Sequence, residues 1–133
     1  MAVNKKAEEW TVIRYFREQY ASFPKGKLVK SESPDFILKL NRKKRIGIEL
    51  TRLDHSSSKD YAGSGFEVLD ELLDKKENKL RLYKKRLLNE YWLIISIEAI
   101  DPGQFSTYSI QHASAYDKVF LFELFSGKIE EIA

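Results

Sequence analysis

Two short segments decide how this chain folds: Ser33-Pro34-Asp35-Phe36-Ile37-Leu38 and, after a basic turn, Ile46-Gly47-Ile48-Glu49-Leu50-Thr51. Apolar and polar residues alternate in both, which predicts antiparallel β-strands over residues 35–40 and 46–52. Asp35 opens the first strand and Glu49 lies inside the second, each on the less apolar face. An unpaired carboxylate is costly in a core, and a bound cation would offset that cost for both residues. The pattern therefore predicts a divalent-cation site.

Composition restricts which cation such a site could hold. The chain has 133 residues, which predicts a single domain over 1–133 with one core. It has no cysteine and only two histidines, His55 and His112, so the ligands must be oxygens and the expected metal is Mg²⁺ or Mn²⁺. The net charge of +3 permits a polyanionic partner without demanding one.

The remaining periodicities predict an α/β domain with a mixed β-sheet flanked by helices. Helical spacing is found over 5–22 and from about 65 to 89, where Ser64 and Glu67 fit a capping box. Further strands are expected at 91–97, 119–125 and 128–132, and a short helix near 110–116. The N-terminus has no apolar signal region and no apolar run could cross a membrane, so a cytoplasmic protein is expected.

Two charged residues fall inside the apolar stripes of the predicted helices. At about 100° per residue, Glu9 projects between Ile13 and Phe16. On the long helix Lys76 lies within the leucine stripe, with Lys79 at its edge. The alternatives are a glutamate tolerated at the positive end of the helix and a lysine whose ammonium reaches water. The functional interpretation is that both side chains point towards the acidic strands.

The turn between the two strands is strongly basic, with Arg42, Lys43, Lys44 and Arg45 in succession. Such a tip is commonly a solvated turn. In a protein that binds nucleic acid it would contact phosphates without reading sequence.

Pro34-Asp35, thirteen residues, then Glu49-Leu50-Thr51, within the order helix, strand, strand, helix, strand, resembles the PD-(D/E)xK nuclease superfamily, which has the restriction-endonuclease-like fold. The resemblance covers roughly residues 7–97 by element order. It implies that Asp35 and Glu49 are metal ligands, that Glu9 adds a ligand directly or through water, and that the carbonyl of Leu50 is a further ligand.

The chain departs from the family motif at one catalytic position. Thr51 stands where the family has a lysine, two residues after the second acid. That lysine positions or deprotonates the attacking water and offsets developing charge. Some branches of the superfamily recruit the lysine from elsewhere, and Lys76, Lys79 or Lys39 could replace it here.

The resemblance implies a Mg²⁺-dependent nuclease that hydrolyses phosphodiester bonds of nucleic acid, DNA rather than RNA. A homodimer is a further expectation, because cutting two strands takes two active sites. The alternative is a catalytically degenerate member of the same fold that binds nucleic acid or protein through the basic tip and Lys84-Lys85-Arg86. An interaction protein of unrelated fold, of toxin or antitoxin type, is the third hypothesis.

Overall fold

In the computed structural model, which describes residues 5–32, 34–53, 65–83, 88–105 and 115–132, the strands form a six-stranded mixed sheet. The elements are α1 (Lys5–Gln19), β1 (Lys27–Lys30), β2 (Phe36–Lys39), β3 (Arg45–Arg52), α2 (Gly65–Tyr83), β4 (Glu90–Ile97), β5 (Lys118–Glu123) and β6 (Ile129–Glu131), with a 3₁₀ turn at Pro102–Phe105. The sheet order is β1-β2-β3-β4-β5-β6. The pairs β3–β4 and β4–β5 are parallel and the other three are antiparallel. The described residues thus form one small α/β domain.

Helix α1 covers one face of the sheet. Ile13 and Phe16 are fully buried there, and Trp10 packs edge-on against Phe36 of β2. The sheet contributes alternate residues to this core: Phe36, Leu38, Ile46, Ile48, Trp92, Ile94, Phe120 and Phe122. Because these residues come from four strands, α1 is held by the centre of the sheet rather than by one edge.

Helix α2 belongs to a second core, on the opposite face of the sheet from α1. The strands contribute to it the residues that alternate with those facing α1. Its Leu69, Leu73 and Leu80 are buried with Leu93 and Ile95 of β4. Since residues at positions i and i+2 of a strand share a face, Gly47, Glu49 and Thr51 of β3 face this side. The strand face that the sequence analysis describes as less apolar therefore lies on the side of α2 and does not face solvent.

The α/β class and the mixed sheet of the sequence prediction are confirmed, while one strand is added to the predicted order and several boundaries are corrected. The first helix ends at Gln19 instead of residue 22, and Leu88 and Asn89 lie outside α2. Strand β1 was not predicted; it pairs antiparallel with β2. The capping side chains of Ser64 and Glu67 lie outside the described side chains, as does most of the helix expected near 110–116, although Tyr116 is not helical.

Strand β3 is tightly packed at Gly47, close to Asp35. A Cβ at Gly47 would lie 2.8 Å from Cγ of Pro34 and 2.7 Å from Cδ1 of Leu88, so only glycine lets both side chains close over β3. We expect Gly47→Ala to lower the free energy of unfolding by about 1–3 kcal/mol, as overpacking does elsewhere. Urea denaturation measures this. A variant as stable as the wild type would show that Pro34 and Leu88 are free to move aside.

Within the described part of the chain, no helix has the length and apolar character that crossing a membrane requires.

Candidate functional site: a chain of three carboxylates

The hairpin of β2 and β3 brings Asp35 and Glu49 side by side. Phe36 lies opposite Ile48, so the next position outward places Asp35 opposite Glu49 on the α2 face. Asp35 is half-buried, and its Oδ2 accepts a hydrogen bond of 2.8 Å from the backbone N–H of Leu50. Glu49 is only 8% exposed. Glu49 therefore does not face solvent, and the position opposite it belongs to Asp35.

The carbonyl of Leu50 is available on the same side of β3 as Asp35. The N–H of Leu50 points to Asp35, and in a strand the N–H and C=O of one residue point the same way. Continuing the register places Leu50 opposite Pro34, which has no N–H to donate. The ladder therefore leaves that oxygen without a bond from the position opposite it.

Glu9 reaches the same place from helix α1. Its Oε1 lies 3.3 Å from Nζ of Lys30, and the two side chains are 14% and 18% exposed. Its carboxyl group also hydrogen-bonds that of Asp35. The three carboxylates form a chain, Glu9 to Asp35 to Glu49, with Lys30 at one end.

The negative charges of Glu9, Asp35 and Glu49 are incompletely compensated by their neighbours. Burial, followed by the hydrogen bond and repulsion from Glu49, raises the pKa of Asp35 from 3.8 to about 6, although the Leu50 N–H and Glu9 oppose the rise. Burial and then Asp35 also raise the pKa of Glu9, against the lowering effect of Lys30. Acids whose pKa is raised by burial and by a neighbouring acid are candidates for a functional site.

The oxygens of the chain do not converge on one point in this structure. Among the residues described, no group of three or more histidine, cysteine, aspartate or glutamate side chains is arranged to hold a metal ion. The hydrogen bonds show nevertheless that each acid contacts the next. The donors of all three side chains are oxygens, the ligand type that Mg²⁺ and Mn²⁺ prefer.

Two other buried acids, Glu77 and Glu123, have structural roles and differ in this from Glu9, Asp35 and Glu49. Glu77 accepts a 2.6 Å bond from the N–H of Ala115. Glu123 accepts backbone N–H bonds from Ala99, Phe125 and Ser126. Although burial raises the pKa of Glu123, these donors outweigh burial and leave it lowered. Backbone donors satisfy these two acids, whereas Asp35 has one backbone donor, the N–H of Leu50, and also faces Glu49.

The helix α2 lysines lie beside Thr51. A cleft of about 460 Å³ is lined by Thr51 together with Lys76 and Lys79. Lys76 is half-buried and Lys79 is exposed. Lys39 is exposed at the far end of β2, about 13 Å along the strand from Asp35, and is not brought to the carboxylates.

The basic tip is likewise separate from the carboxylates. Arg42, Lys43, Lys44 and Arg45 are all exposed, and Asn41 Oδ1 accepts the N–H groups of Lys43 and Lys44 to shape the turn. Arg45 lies four residues before Glu49, about 13 Å away along β3. His55, His112 and Lys84-Lys85-Arg86 lie outside the described residues.

Two clefts meet at Glu9. One, of about 530 Å³, is lined by Glu9, Asp35, Lys30 and their neighbours. The other, of about 520 Å³, lies between the start of α1 and the carboxyl ends of β3 and β4, where Leu50 and Thr51 also contribute. Glu9 therefore lines both clefts and Asp35 lines the first, whereas the buried Glu49 lines neither.

Sequence reasoning found the acids and the α2 lysines but missed Lys30. Its position in β1, a strand that was not predicted, gave no sign that it would meet Glu9. Comparison with protein-family models, curated proteins and solved structures finds no match for this chain. Function has to be inferred from the residues of the site.

Proposed function

We propose that this protein is a metal-dependent nuclease of the restriction-endonuclease-like, PD-(D/E)xK kind, which hydrolyses phosphodiester bonds of nucleic acid, DNA in preference to RNA. One observation carries the proposal: Asp35 and Glu49 lie opposite each other in a partly buried place, with Glu9 in contact. Bringing like charges together lowers the free energy of unfolding, and a bound cation would offset that loss. The elements around these acids also support it: α1, β2, β3, α2 and β4 follow one another in the order of the resemblance, with the additional strand β1 between α1 and β2.

The available oxygens fit Mg²⁺ or Mn²⁺. Asp35 and Glu49 would hold the cation with the carbonyl of Leu50, and Glu9 would assist directly or through water. The bound cation would lower the pKa of a water and offset charge on the phosphoryl oxygens. Hydrolysis would form a bond between the water oxygen and phosphorus and break the bond to the leaving oxygen; the water would lose a proton to solvent, and the leaving oxygen would take one up.

The residues around the three acids would position the attacking water and bind the substrate. The hydroxyl of Thr51 can hold the attacking water, and Lys76 or Lys79, in the same cleft, would supply the positive charge that Thr51 lacks. Arg42, Lys43, Lys44 and Arg45 would contact phosphates farther along the strand, without reading sequence. A cytoplasmic homodimer, in which each copy cuts one strand, completes the proposal.

The first test is calorimetric titration of Mn²⁺ and Mg²⁺, which needs no substrate. We expect the wild type to bind Mn²⁺ saturably and both Asp35→Ala and Glu49→Ala to lose that binding, because each removes a ligand that the other acids cannot replace. Glu18→Gln is the matched control, since Glu18 is an exposed acid on the same helix as Glu9. It should bind as the wild type does.

The same variants then test cleavage on single- and double-stranded DNA and RNA. Metal-dependent cleavage that survives in Asp35→Ala or Glu49→Ala would refute the proposed roles. A wild type that binds neither metal would refute the metal site itself.

Thr51 in place of the motif lysine supports a second candidate, a non-catalytic module that binds nucleic acid or protein on the same fold. Divalent-metal dependence distinguishes the two. Such a module would bind its partner equally well in the presence of a chelator.

A further inference from the structure

The ammonium of Lys30 has a complete set of acceptors inside the site. It donates to the carbonyl of Ser31 at 2.6 Å and to the carbonyl of Asp35 at 3.0 Å, and it lies 3.3 Å from Oε1 of Glu9. An ammonium has three N–H donors, so these contacts use them all. The same nitrogen lies 5.1 Å from the centre of the Phe36 ring, which adds a cation–π contact.

This arrangement fixes Lys30 more firmly than an ordinary surface lysine. Both carbonyls belong to the connection between β1 and β2, and the N–H of Ser31 also bonds the carbonyl of Asp35. The hairpin therefore holds the ammonium, and helix α1 supplies only Glu9. With its donors occupied, Lys30 has none left for an attacking water, so it is not a substitute for the motif lysine.

We propose that Lys30 is a positioning residue that holds the carboxylate of Glu9 against Asp35, so that helix α1 and the β1–β2 hairpin present their acids together to a divalent cation. The proposal rests on the metal site put forward above. Lys30 acts through Glu9: one carboxylate oxygen is tied to the ammonium, and the group is thereby directed to Asp35. Such outer partners orient ligands in other metal sites.

Charge alone predicts the opposite effect of removing Lys30. A positive charge beside the site repels a divalent cation, so its loss should tighten metal binding if Lys30 were only a competitor for Glu9. If Lys30 positions Glu9, its loss should weaken binding. The sign of the change therefore separates the two roles.

The test is a double-substitution cycle with Lys30→Met and Glu9→Gln, in which Mn²⁺ is titrated into the wild type, both single variants and the double variant. We expect Lys30→Met to weaken Mn²⁺ binding roughly tenfold or more. The double variant should bind within about twofold of Glu9→Gln alone, because Lys30 has nothing left to position. Lys27→Met is the control: it removes the same charge from an exposed position of β1 and should change little.

Unchanged or tighter binding by Lys30→Met would overturn the inference. So would an equal weakening in the Glu9→Gln background, which would mean that Lys30 only supports the hairpin. Urea denaturation of the same four proteins without metal covers the case in which the wild type binds no Mn²⁺, which would refute the proposed function. In that case, a Lys30→Met effect that depends on Glu9 would still support the positioning of Glu9, and an effect independent of Glu9 would overturn it.

Discussion

Asp35→Asn is expected to make the metal-free protein more stable at neutral pH. The folded protein raises the pKa of Asp35 from 3.8 to about 6, so between these pH values it binds more protons than the unfolded chain. The free energy of unfolding therefore falls as the pH rises from about 4 to about 6, and the loss is complete above that interval. The shift corresponds to at most about 3 kcal/mol. Because Asp35 is only half-buried, we expect roughly 1–2 kcal/mol.

Asparagine isolates this effect because it is neutral and keeps an oxygen that can accept the N–H of Leu50. Urea denaturation at a series of pH values without divalent metal is the measurement. Above pH 7 the variant should be more stable than the wild type, and below pH 4 the two should converge. Glu18→Gln should follow the wild type throughout. A variant less stable than the wild type at pH 7 would mean that the carboxylates are not strained by one another.

Phe16→Ala should be among the most destabilising single substitutions in the chain. The Phe16 side chain is fully buried, and its ring lies 5.1 Å from that of Phe120 and 5.3 Å from that of Phe122. Truncating such a residue leaves a cavity and costs about 3–5 kcal/mol. Since small domains are stable by about 5–15 kcal/mol, this is a large share of the total.

Thermal and urea denaturation measure the effect, and Phe125→Ala is the matched control because Phe125 is 74% exposed. The control should be within about 0.5 kcal/mol of the wild type. Because Glu9 depends on the docking of α1, Phe16→Ala should also weaken Mn²⁺ binding in the fraction that stays folded. A loss of stability no larger than that of Phe125→Ala would mean that α1 is not anchored to the sheet as described.

The sequence predicted most of the sheet because its strands carry strong local patterns. The alternation around Phe36 and Ile48 and the apolar run of β4 are intrinsic to their own segments. Strand β1 has only Leu28 and Val29 as apolar residues, and it exists because β2 offers an edge to pair with. A strand of that kind is specified by its neighbour, and local periodicity does not reveal it.

The site was predictable to a similar extent. Strand alternation placed Asp35 and Glu49 on one face, and the helical wheel gave the direction of Glu9. Neither method gives distances, so the contact from Glu9 to Asp35 and the Lys30 ion pair had to come from the structure. The sequence indicated that a buried Glu49 would need a partner, but it did not show how much of the side chain the fold covers.

The order of the sheet follows the order of the chain, which has a consequence for how the protein assembles during synthesis. Each strand hydrogen-bonds its predecessor, so the sheet can grow from β1 onward as residues emerge. Helix α1 precedes all six strands in the chain, yet Phe16 packs on Phe120 and Phe122 of β5. Helix α1 must therefore wait for β5 before its docking is complete. Glu9 is synthesised before the strands, and its final position depends on a helix that β5 completes.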